Sequence, residues 1–161
     1  MKTFWTLLAI ALAAVLQSGL SLIIPRAPLT FDPFLLVVVY CGLTYGETHS
    51  MLAGAVAGWV QDVLFGGQVA GISALTKLIL GFGVGLAGTR FLLVGPGPQI
   101  LVVFAATILD ALVTHSLASV FGIHAAELSA SGLALRGVVN ALSAVALFAF
   151  VDRQVARDGR S

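Results

Sequence analysis

Apolar residues fill this chain in six blocks, about 4–24, 34–46, 51–65, 72–89, 100–121 and 132–151, separated by short polar or glycine- and proline-rich breaks. About 20 consecutive apolar residues are what a helix needs to cross the hydrocarbon core of a bilayer. A soluble domain carries about 25% charged residues, whereas here only 9% of 161 residues are charged and 59% are hydrophobic. The mean hydropathy is +1.07. The chain reads as an all-α membrane protein, a single six-transmembrane-helix bundle over residues 1–161, with 152–161 as a cytoplasmic tail. A net charge of only +1 leaves no nucleic-acid footprint. Cys41 is the single cysteine, which excludes an intrachain disulfide and a zinc-ligand cluster.

The breaks define the helices. Met1-Lys2 ahead of the first block resembles a secretory signal, but Ala9, Ala11, Ala13 and Ala14 lie within the apolar run rather than after it. An uncleaved first span is therefore expected. Pro25-Arg26-Ala27-Pro28 ends that helix, and Asp32-Pro33 opens the next as N-cap and first-turn proline. One helix over 34–65 would be roughly 48 Å long, well beyond a ~30 Å core. Two short spans broken at Glu47-Thr48-His49-Ser50 are expected instead. With six spans and an inner N-terminus, Lys2, Arg90, Arg153, Arg157 and Arg160 share the inner side and only Arg26 is outside. That matches the positive-inside rule, and five spans would not.

The stretch Gly54–Gly88 holds two small-residue-rich segments around the glycine turn Phe65–Gly71, with Asp62 before it and Lys77 after it. Charges inside a bilayer are expensive and mark functional sites by default. Asp62 and Lys77 lie at similar depths, about 4–5 Å and 7–8 Å of helix rise from the turn, so they are candidate partners. Thr107, Asp110 and Thr114 repeat at helical spacing on the fifth segment, and Arg136, Asn140 and Ser143 on the sixth. Asp62, Lys77, Asp110 and Arg136 sum to zero charge, as a buried network requires, with Asn140 beside them. This seam either fixes the packing or lines a ligand cavity. Gly54/Gly58 and Gly81/Gly85 form GxxxG pairs, which either pack the bundle internally or receive a partner's transmembrane helix.

No catalytic constellation is present: there is no H-E-x-x-H, G-x-S-x-G or Walker A motif. His49, His115 and His124 fall in an inner loop, the membrane and an outer loop, so no shared metal site is expected. The chain reads as a non-enzyme without cofactor.

Several stretches resemble the bacterial rod shape-determining MreD family. They are Asp32-Pro33-Phe34-Leu35-Leu36, then Gly54…Gly58…Gln61-Asp62-Val63-Leu64-Phe65-Gly66-Gly67, then Gly71-Ile72-Ser73-Ala74-Leu75-Thr76-Lys77 with Gly81 and Gly85. Ala70 stands where the family pattern has leucine, and Asp32-Pro33 reverses the family's Pro-Asp order. The resemblance covers nearly the whole chain. It implies a multi-pass protein of the bacterial inner membrane, with both termini cytoplasmic and a fold like the S component of energy-coupling-factor transporters. It implies a role in cell elongation with MreC as partner, near RodA and a class B penicillin-binding transpeptidase, and indirectly MreB. An S-component-like binder of a small molecule or lipid precursor is the alternative. An ion-coupled transporter is a weaker third class, because no inverted repeat is visible.

Overall fold

The computed structural model describes residues 2–23, 30–65, 71–91, 95–122 and 129–158. Arg26, His124, Glu127 and Arg160 lie outside the described residues, as does the centre of the turn at 66–70. Among the described residues six helices follow one another: α1 Lys2–Ile23, α2 Pro33–Tyr45, α3 Glu47–Phe65, α4 Ile72–Arg90, α5 Pro96–Val120 and α6 Ala130–Asp158. Each apolar block of the sequence falls on one of them. Four helices are long and apolar enough to cross a membrane: α1, α4, α5 and α6. α2 is apolar but short. At 13 residues its length is about 20 Å, less than a hydrocarbon core.

The helix ends follow local chemistry. Asp32 is extended at φ −121° and caps α2, its Oδ1 accepting the Leu35 N–H at 3.0 Å, with Pro33 in the first turn. Gly46 alone connects α2 to α3, at φ 87°, a backbone conformation that residues with a Cβ rarely adopt. Ser129 accepts the Gly132 N–H at 3.1 Å and caps α6.

α2 is the hub. It packs against all five other helices, and nine of its 13 residues are buried, so it has no polar face to turn outward. Leu35, Leu36 and Val39 join Leu80 and Val84 of α4, Val103 of α5 and Phe148 of α6 in one core cluster. Phe34, Val38 and Cys41 join Ile10 and Ala13 of α1 and Ala57 of α3 in the other. Around this hub, α3 and α4 form the tightest pair and α5 and α6 a second hairpin.

The α3–α4 interface answers the question of the glycine pairs. A Cβ on Gly54 would strike the Lys77 carbonyl, and one on Gly58 would strike Ser73. A Cβ on Gly81 would strike the Ser50 carbonyl, and one on Gly85 would strike Glu47. The two faces considered as seats for a partner's helix are thus pressed against each other. This corrects the docking expectation, because backbone contact between neighbouring helices leaves neither face open. Ser50 seals the seam, its Oγ donating to the Gly81 carbonyl at 2.6 Å.

Candidate functional site

The polar side chains of four helices meet beside the N-terminal end of α2. Lys77 of α4 stands at the centre, 1% exposed, and its Nζ donates to Asp32 Oδ2 at 2.7 Å and to Asp110 Oδ1 at 3.3 Å. Asp32 belongs to α2 and Asp110 to α5, so one ammonium ties three helices. The fourth helix enters through Asn140 of α6, whose Oδ1 accepts the Asp32 backbone N–H at 3.0 Å. Its Nδ2 donates to Thr107 Oγ1 at 3.4 Å. Thr114 donates to Thr76 at 3.3 Å one turn further along, a second link between α5 and α4. Asp32 is 4% exposed, Asp110 5% and Asn140 fully buried, so the cluster is closed to its surroundings.

Charge balance explains why such a cluster is tolerable. Two carboxylates and one ammonium leave one net negative charge in an apolar interior, an expensive state. Arg136, one turn before Asn140 on α6, is partly buried and its positive charge acts on both carboxylates from further away. Counting it, the charges cancel. Its Nε is buried without a hydrogen-bond partner among the described residues.

Asp62 is placed differently from its expected pairing with Lys77. Its carboxylate accepts the backbone N–H groups of Gly71 at 2.8 Å, Ser73 at 3.3 Å and Ala74 at 3.3 Å. α4 has no capping side chain of its own, so Asp62 of α3 supplies the cap from the neighbouring helix. Unpaired N–H groups and the positive end of the helix dipole both favour a carboxylate there. Among the described residues, Lys77 takes its ion pairs from Asp32 and Asp110.

Asp32 is the member that sequence reasoning missed, because capping seemed to account for it. Its two oxygens divide the work: Oδ1 caps α2 and Oδ2 meets Lys77. A carboxylate accepts several hydrogen bonds, so one role did not exclude the other. The shortness of α2 was the available signal. A 13-residue helix is shorter than a hydrocarbon core, so it can present its N-cap to Lys77 inside the bundle.

The two described histidines, His49 and His115, make no hydrogen bond to the cluster. His49 Nε2 lies 2.8 Å from Thr6 Oγ1 near the opposite end of the bundle, with Cys41 Sγ 3.8 Å from the same hydroxyl. His115 Nδ1 is buried without a partner. Among the described residues no three His, Cys, Asp or Glu side chains converge as metal ligands. The cluster can hold helices together and discriminate against misplaced ones, since every member is hydrogen-bonded to a different helix.

A family model described as rod shape-determining protein MreD matches residues 1–153. The chain belongs to the MreD family. Membership makes it a rod-shape-determining membrane protein, which agrees with four helices fit to cross a bilayer. No curated protein and no solved structure matches the chain. Within this MreD-family chain, the residues that carried the resemblance serve the bundle itself. Asp32-Pro33 opens the hub helix, Asp62 caps α4, Lys77 ties the cluster, and Gly54, Gly58, Gly81 and Gly85 make the closest helix contact.

Proposed function

We propose that this chain is a non-catalytic membrane component of the bacterial cell-elongation complex. It binds MreC in the inner membrane and helps regulate peptidoglycan synthesis and cell shape. RodA and the class B penicillin-binding transpeptidase stand next to it, and MreB is reached indirectly. All six helices cross the membrane and both termini are cytoplasmic. The observation that carries the reading is the family match over residues 1–153.

The buried polar groups support a scaffold. Asp32, Lys77, Asp110 and Asn140 turn to one another, with Arg136 alongside, and they fix the α5–α6 hairpin against the α2–α4 body. A small-ligand or lipid-precursor binder would need convergent polar groups lining an open pocket. The closure of this cluster favours the scaffold over that alternative.

The test is a gentle-detergent pulldown of the full chain from its own membranes, with mass spectrometry of proteins and small molecules. Recovery of MreC with the elongation synthase is expected. Recovery of an energy-coupling ATPase module with a bound small molecule, and no MreC, would overturn the proposal.

A further inference from the structure

The inner-leaning glycines of α4 are matched by a gap on its other side. Gly83 and Ala87 follow each other by one turn on a face that none of the described helices covers, and a Cβ built on Gly83 meets nothing within 4 Å. Leu86 and Phe91 rise beside them, and Arg90 stands at the end. Together these five residues line an open groove of about 430 Å³. That is the low end of the range for small-molecule sites. Ile79, 45% exposed, continues the same apolar face one turn deeper.

Position gives the groove a polarity. α4 is fit to cross a membrane and Arg90 is its last residue, so Arg90 belongs at headgroup level. Gly83 lies seven residues back, about 10 Å deeper along the axis and within the hydrocarbon. The groove therefore has a cationic mouth at the membrane surface and an apolar floor below it. Arg90 makes no ion pair among the described residues. A cation in the last turn complements the helix dipole, which accounts for the charge but not for the groove beside it.

We propose that this groove holds one anionic phospholipid, with its phosphate against Arg90 and one acyl chain along Gly83 and Ala87. The notch is open along its length, with Gly83, Arg90 and Phe91 all exposed, so an acyl chain can lie in it with its headgroup at Arg90. Charge complementarity selects the headgroup, since basic sites at the membrane ends of helices attract anionic lipids. The proposal is independent of which elongation partners the chain binds.

The full chain is reconstituted into nanodiscs containing phosphatidylglycerol and phosphatidylcholine with matched acyl chains. It is then extracted gently, and retained lipid is counted by native mass spectrometry. One retained lipid is expected, with phosphatidylglycerol favoured about fivefold, the ratio one basic residue at an anionic surface supplies. Arg90→Gln removes the preference while lipid is still retained. Gly83→Leu fills the open notch and reduces retention of both lipids, with the melting temperature unchanged as a check on folding. Equal retention of the two lipids by the unaltered chain overturns the proposal, as does an Arg90→Gln variant that keeps the preference or a Gly83→Leu variant that retains lipid normally. A Gly83→Cys chain in a Cys41→Ser background that crosslinks in native membranes to another protein's span would overturn it in favour of helix docking.

Discussion

Lys77 offers the sharpest test at the level of single residues. Its ammonium stands between Asp32 and Asp110, and each carboxylate is nearly inaccessible. Lys77→Met leaves two buried carboxylates without their direct counter-ion, and removing one partner of a buried ion pair costs about 3–5 kcal/mol. The detergent-solubilised variant should unfold at markedly lower temperature or denaturant concentration. Converting Lys77→Met together with Asp110→Asn should recover part of that loss, because the one buried carboxylate that remains, Asp32, is then balanced by the partly buried Arg136. A double-mutant cycle assigns the partner. Lys77 and Asp32 should couple by about 0.5–3 kcal/mol, whereas Lys77 and Asp62 should add within roughly 0.5 kcal/mol. Coupling between Lys77 and Asp62 comparable to that with Asp32 would contradict the arrangement. The sequence made the wrong pairing attractive because depth along a helix is readable from residue counts, while the direction in which a side chain leaves the helix is not. Asp62 stands close to the first turn of α4, where free N–H groups compete for it ahead of any distant ammonium.

Between elements, the glycines of α3 and α4 separate into two kinds that composition cannot tell apart. Gly58→Ala should force α3 from α4, since the new methyl would occupy the place of the Ser73 backbone. Overpacking of this kind costs about 1–3 kcal/mol and sometimes more. Gly83→Ala places the same methyl in open space, where the higher helix propensity of alanine contributes about 1 kcal/mol in the opposite direction. Thermal melts of the two variants should therefore move apart, down for the first and level or up for the second. Both glycine pairs were legible as small-residue spacing, and that spacing does establish close approach. It does not name the neighbour. The neighbour follows from the short Phe65–Gly71 turn, which makes α3 and α4 adjacent and leaves their small faces to meet. The hub role of α2 was present in the uninterrupted apolar run Phe34–Val39, the pattern of a helix enclosed on every side.

For the whole molecule, the reach of the α2–α3 hairpin through the membrane decides the number of crossings. Its tip, Gly46, is joined to one face of the bundle by several contacts. Lys2 at the start of α1 lies with its Nζ 5.4 Å from the Tyr45 ring centroid. A Cβ on Gly46 would come within 3.5 Å of Thr89, next to the end of α4. Tyr40 donates to Asp152 of α6 at 3.2 Å nearby. α3, at 19 residues, is about 28 Å long, close to a hydrocarbon thickness. The shortfall of α2 thus falls at its N-terminal end, at Asp32, and the hairpin tip stands level with Lys2 and the end of α4. If Lys2 at the start of α1 and Arg90 at the end of α4 lie at the cytoplasmic face, so does the tip, and the hairpin makes two full crossings. A Thr48→Cys substitution in a Cys41→Ser background tests this, because Thr48 is exposed. A membrane-impermeant maleimide should leave it unlabelled in intact spheroplasts and label it once the membrane is opened. Gly122→Cys, at the opposite end of α5, should label without lysis. Thr48→Cys that stays unreactive on both sides, while Arg153→Cys becomes reactive on lysis, would mean a re-entrant hairpin and four crossings. The termini would still share one side under that outcome, which is why the hairpin tip, and not either terminus, is the position that decides the count.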